Sequence, residues 1–141
     1  MASDEEKGMK LNLWIEQRDP KLLTDLFEID KAQYNEVING RQKKTVTEGV
    51  SIQYVKQYTC DSADMPSWAI LSIEFGKNVV LPIAVGILSN YLYDKLKDRK
   101  KSKVLINDQQ VEINAEKINQ LIINIVNLSL NQEEKKEVKQ P

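Results

Sequence analysis

The sequence predicts an α+β fold: a small mixed sheet, a long central apolar helix, a C-terminal β-hairpin and a terminal amphipathic helix. Three observations carry that prediction. Residues 11–16 and 50–55 alternate apolar and polar side chains with a period of two, the mark of half-buried strands. Asn78 to Tyr93 is a run of sixteen uncharged residues with the length and composition of a helix. Beyond it, short apolar segments flank an Asn-Asp turn and then give way to three- and four-residue spacing. No internal repeat and no Gly/Ser-rich linker divides the chain, so its 141 residues are read as one domain.

Residues 1–9 are acidic and polar, without the apolar stretch of a secretory signal, and are read as a disordered lead-in. In the first strand Leu11, Leu13 and Ile15 share one face, and Asn12, Trp14 and Glu16 the other. Trp14 is placed under a helix in preference to an exposed contact. Asp19 suits an N-cap and Pro20 the first position of a helix whose stripe is Leu22, Leu23, Leu26 and Phe27. Asp30 caps a further helical turn that ends near Asn39-Gly40; a hairpin turning at that Asn-Gly pair is the alternative. "RQKKTVTEG" reads as a polar loop.

The second strand sets Val50, Ile52 and Tyr54 against Ser51, Gln53 and Val55. "CDSADMP" connects it to "SWAILSIEF", which fits either a buried strand or the opening turns of a helix. The long helix runs from about Gly76 to Arg99, with Pro82 in its first turns or at a kink. "KVLINDQQVEI" is a hairpin in which Val104 and Ile106 pair with Val111 and Ile113. Asn114 then caps the last helix, whose stripe of Ile118, Leu121, Ile122 and Ile125 is widened by Ile123, Val126 and Leu130. The domain thus spans residues 10–130, and a charged flexible tail takes up 131–141.

Composition narrows the function. Twenty Lys and Arg oppose twenty-one Asp and Glu, and a net charge of -1 predicts no general affinity for nucleic acid; no specific nucleic-acid partner is expected. The chain has one cysteine and no histidine. Zinc sites built on those residues are thereby excluded, and Cys60 lacks the commonest catalytic base, so it is read as an ordinary thiol. A single cysteine cannot close an internal disulfide, which suits a reducing, cytoplasmic compartment. Asp61, Asp64, Glu74 and Asp94 have no spacing that marks a catalytic pair. No enzyme activity, cofactor or metal is expected.

The apolar run decides the rest. Sixteen helical residues span about 24 Å at ~1.5 Å per residue, short of the ~30 Å hydrocarbon core. Extending it upstream brings in Glu74 and Lys77, each costing roughly 2.5–3.5 kcal/mol at mid-bilayer. Six basic residues follow it, Lys95, Lys97, Arg99, Lys100, Lys101 and Lys103, as at a cytoplasmic membrane boundary. The same residues also complement the macrodipole of an ordinary helix C-terminus. Flanking patterned elements need an apolar partner, so a core helix is preferred over an interface helix, and either over an inserted one. As an interface it would present Val79, Val80, Ile83, Gly86, Ile87 and Asn90 to a protein partner or to a second copy. The basic residues would meet an anionic surface, which leaves peripheral or inserted association with the inner membrane as an alternative.

The order of elements, a long apolar helix closing in "GILSNYLYDKLKDRKK" and then "KVLINDQQVEINAEKINQLI", resembles the effector-associated constant components of bacterial conflict systems over about residues 10–127. The resemblance lies in layout and not in a diagnostic motif. It implies a non-enzymatic accessory protein of a defence or stress-response system, with no catalytic residues to carry over. Two features depart from that pattern: the polar insert "DKAQYNEVINGRQKKTVTEG" and the scarcity of Gly and Ala in the long helix. From the sequence, the chain is a non-catalytic interaction module working through its long helix and sheet.

Overall fold

The structure, a computed structural model, describes residues 8–19, 21–40, 42–59 and 67–138, with side chains up to Leu130. Pro20, Cys60, Asp61 and Asp64 lie outside the described residues, as does most of the expected lead-in. The elements in chain order are β1 (Met9–Gln17), α1 (Lys21–Phe27), a 3-10 turn (Lys31–Gln33) running into α2 (Tyr34–Ile38), β2 (Lys43–Thr47), β3 (Val50–Tyr58) and β4 (Ser67–Phe75). After them come α3 (Leu81–Leu96), a second 3-10 turn (Lys97–Arg99), β5 (Val104–Ile106), β6 (Gln109–Val111) and α4 (Ala115–Val138). The α+β class and the hairpin followed by a terminal helix stand as the sequence predicts.

The strands form one sheet in the order β2-β3-β4-β1-β5-β6, and every pairing is antiparallel, so the sheet is not mixed. The reason is where β1 sits. β4 and β5 run the same way and are joined through α3, but β1 lies between them and opposes both. The crossover that would ordinarily make a parallel pair is split by an antiparallel strand.

All the helices cover one face of the sheet. Leu11, Leu13 and Ile15 of β1, Ile52 of β3, Leu71 and Ile73 of β4 and Ile106 of β5 are buried beneath Leu22, Leu26, Leu88, Leu92 and Ile122 of the helices. Within this core the Ser89 hydroxyl donates to the Val85 carbonyl at 2.7 Å, so the one hydroxyl of α3's buried face is satisfied inside its own helix. No helix among the described residues is long and apolar enough to cross a membrane.

Local chemistry explains the boundaries. Asp30 accepts from the Ala32 N–H at 3.0 Å, and Gln33 reaches back to the Asp30 N–H, a reciprocal cap that starts the second short helix. Helix, not hairpin, precedes Gly40, which takes a φ of +71° just past α2. Asn114 accepts from the Lys117 N–H at 3.0 Å at the head of α4. Asn107 and Asp108 both have positive φ, +48° and +67°, the turn that matches the twist of a two-residue hairpin.

The differences are equally local. Lys43–Thr47, read as loop, is an edge strand, because β3 offers it a ladder and an edge tolerates lysines. "SWAILSIEF" is a strand, fixed by pairing with β1 and β3 on both sides. α3 begins at Leu81, later than Gly76, with Pro82 in its first turn, where a missing N–H costs nothing. In the C-terminal hairpin Val104 pairs with Val111 but Ile106 pairs with Gln109; the two-residue turn leaves Ile113 beyond the strand, buried in the core without a strand partner. α4 continues to Val138, past the point where the sequence was read as tail.

Candidate functional site

Of the six residues proposed as an interface, Val80 at the N-cap of α3 and Ile83, Ile87 and Asn90 within it fall on its outer side, and Val79 and Gly86 do not. Val80, Ile83 and Ile87 recur at three and four residues and keep 63%, 64% and 40% of their surface exposed. Asn90 continues the same line, exposed, and Val79 is half-buried. Gly86 is turned toward α4, where a Cβ would come within 3.9 Å of Asn119. The opposite side of the helix, Ala84, Val85, Leu88, Leu92 and Leu96, is buried. α3 is therefore apolar on two sides, and only one of them is spent on the core.

A groove of about 590 Å³ runs beside the exposed stripe, between α3 and the turn linking β2 to β3. Its floor depends on Gly49, whose φ is +82° and whose carbonyl accepts from the Gly76 N–H at 2.7 Å. A side chain at Gly49 would collide with the Val79 methyl, so only glycine lets the turn and the start of α3 approach this closely. Glu48 and Lys77 line the same groove, and neither forms an ion pair among the described residues. This is an apolar stripe with one carboxylate and one ammonium at its margin.

The basic residues after the stripe are divided. Arg99 is engaged by two carboxylates, Asp19 at 2.5 Å and Asp25 at 2.8 Å, and only 16% of its side chain is exposed. Lys95 binds Glu28 at 3.0 Å and lies 5.4 Å from the Tyr91 ring centre; Lys97 binds Asp94 at 3.2 Å. Lys100, Lys101 and Lys103 have no carboxylate partner among the described residues. Lys95 and Arg99 thus tie the end of α3 to α1 and its flanks, Lys97 is paired within its own helix, and the other three are without a carboxylate among the described residues. Glu28, at the end of α1 with φ +53°, also takes Lys44 of β2 and so joins three elements.

Electrostatics follow from these pairs. Burial pushes the Asp19 carboxyl up, but hydrogen bonds from Arg99 and the Lys21 N–H, with the charges of both residues, outweigh it and hold it below its usual range. Hydrogen bonds from Lys44 and then Lys95 lower Glu28. Tyr91 is raised well above its ordinary value by burial and then by the nearby Glu28 and Asp94 charges; its hydroxyl donates to the Leu26 carbonyl.

The sheet's other face carries a second feature, absent from the sequence reading. Trp14 lies there, away from the helices, so its expected place under a helix is corrected. Its ring centre is 6.0 Å from that of Tyr58 and 6.1 Å from that of Trp68, with tilts of 38° and 58°. Tyr58 arrives by way of a bulge: the pairing of β3 with β4 shifts between Tyr54 and Lys56, so Tyr54 faces the core while Lys56 and Tyr58 face outward. Strict alternation from Val50 would have turned Tyr58 inward. Glu16, 4% exposed on this face, is held by Arg18 at 2.5 Å.

Glu74 and Asp94, the sequence-noted carboxylates within the described residues, bind Lys43 and Lys97 and do not approach each other as a pair. Among the described residues no three metal-ligating side chains come together. The chain matches no protein-family model, no curated protein and no solved structure, so the resemblance to effector-associated constant components rests on layout alone.

Proposed function

We propose that this chain is a non-catalytic interaction module that self-associates through the outer face of α3, as an accessory component of a larger system. One observation carries the reading: Val80, Ile83 and Ile87 form an exposed apolar stripe on a helix whose other side is already packed. Such side chains have no reason to be large and aliphatic in water, and a second helix laid along them would bury them. A second copy fits the margin as well. A two-fold arrangement that sets the Glu48 of one protomer against the Lys77 of the other would give each the opposite charge that it lacks among the described residues of its own chain.

Magnitude sets the expected strength. Fully burying an aliphatic side chain is worth about 1.5–3 kcal/mol, and these three are already partly covered. The two stripes of a dimer therefore contribute roughly 6–10 kcal/mol together, within the range of about 4–15 kcal/mol for lost rigid-body freedom. Weak, concentration-dependent association is expected. Sedimentation velocity over a concentration series should show a reversible dimer that the triple substitution Val80→Ser, Ile83→Ser, Ile87→Ser returns to monomer without loss of helicity. A parent chain that stays monomeric up to about 1 mM, where binding would be worth only ~4 kcal/mol, overturns the reading. So does a triple variant that dimerises like the parent.

A further inference from the structure

The open face of the sheet, remote from α3, carries an independent feature. Five residues lie in one row across it: Lys56, Ile70, Trp14, Leu105 and Gln110, each the cross-strand partner of the next. The neighbouring row is Tyr58, Trp68 and Glu16, with Lys103 beside Glu16, whose N–H donates to the Lys103 carbonyl at 2.9 Å. The two rows bring the rings of Tyr58 and Trp68 each to about 6 Å from that of Trp14, tilted against it, beside Ile70, which is only 6% exposed. Tyr58 is still 49% exposed, and both tryptophans are half-buried.

Among the described residues, charge on this face is one-sided once pairs are removed. Among the described residues its carboxylates each hold their own cation: Glu16 has Arg18, Glu74 has Lys43 and Glu112 has Lys117. Lys56 on β3 and Lys103 ahead of β5 pair with no carboxylate among the described residues. They straddle the aromatic rings with β4 and β1 between them, about 14 Å at ~4.8 Å per strand. Net charge for the whole chain conceals this local excess.

We propose that the Trp14–Tyr58–Trp68 face binds single-stranded nucleic acid, bases stacking on the rings and phosphates meeting Lys56 and Lys103. The chemistry needed is flat rings for bases and flanking cations for a backbone, and an antiparallel sheet of this size stacks two or three bases. A neutral glycan would not use the lysines. A cationic ligand would be repelled by them, and the rings touch one another too closely to cage it. The bulge in β3 places both Tyr58 and Lys56 on this face, so one backbone irregularity supplies a ring and a cation together.

The chain has two tryptophans, both in the cluster, so intrinsic fluorescence of the full chain reports this face. Titration with oligothymidylate or oligouridylate of about 12 nucleotides should give saturable quenching at low salt, and preference for either names the polymer. Affinity should fall with salt at a slope of about -1.4, two phosphate contacts at ~0.7 each. Tyr58→Ala should weaken binding about tenfold, and Lys56→Glu with Lys103→Glu should weaken it further and flatten the slope. Lys100→Glu with Lys101→Glu should leave it unchanged. The proposal is overturned by no quenching with either oligomer, by equal quenching with duplex, or by loss only in the Lys100/Lys101 variant. Quenching that follows protein concentration without any oligomer would assign the face to protein contact and overturn it equally.

Discussion

At the scale of single residues, Asp19 and Glu28 are where charge is converted into stability. Both have folded-state pKa values below their ordinary values of 3.8 and 4.5. A carboxylate lowered on folding stabilises the native state above its unfolded pKa, and the contribution is lost as pH falls through the folded value. The double substitution Asp19→Asn, Glu28→Gln should therefore lower Tm at neutral pH. Its deficit should shrink as pH drops below about 4.5 and vanish once pH has fallen below both lowered folded-state values, read by circular dichroism across a pH series. Both carboxylates are nearly half exposed, so the deficit should also shrink in high salt. A deficit that persists at low pH would mean the ion pairs are not its source. None of these pairings could be read from the chain, because Arg99 meets Asp19 across eighty residues.

Turns and bulges decide the elements. Asn107-Asp108 is a two-residue turn with positive φ at both positions, and aspartate tolerates the second less well than glycine does. Asp108→Gly should stabilise the protein by roughly 0.4–1 kcal/mol, seen as a higher urea midpoint at unchanged slope. A destabilised variant would show that the Asp108 side chain holds the turn. Much of this scale was legible in advance. The alternation of β1, the caps at Asp30 and Asn114 and the stripe of α4 are written in short-range spacing, which needs no knowledge of neighbours. β2 was missed because its five residues carry no apolar alternation and become a strand only by pairing with β3. The β3 bulge was missed for a related reason: an extra residue reverses the pattern after Val55, and only the partner strand shows which residue is extra.

For the whole molecule, the question is how one helix serves two sides. Leu88 and Ile83 are similar in size and composition, and both lie in α3. Leu88 is fully buried and Ile83 is 64% exposed. Leu88→Ala should cost about 2–5 kcal/mol, the transfer term plus a cavity between helix and sheet. Ile83→Ser should change stability by less than about 1 kcal/mol while weakening self-association. Chemical denaturation of the two variants side by side checks this; equal losses would show that the outer stripe is packed in solution and would remove the basis of the proposed interface. The stripe itself was legible, since Val80, Ile83, Ile87 and Asn90 share one helical line in any helix. Which line would face outward was not.

The sequence by itself determined the class of fold, the helical caps, the hairpin turn and the apolar character of α3, because each follows from chemistry within a few neighbouring residues. Only the tertiary structure decided that β1 splits the crossover, that half of the basic patch is bound to carboxylates of α1, of its flanks and of α3 itself, and that Trp14, Tyr58 and Trp68 meet. Those outcomes depend on which segments become neighbours in space. That is settled by the burial of the whole core at once, and no window along the chain contains it.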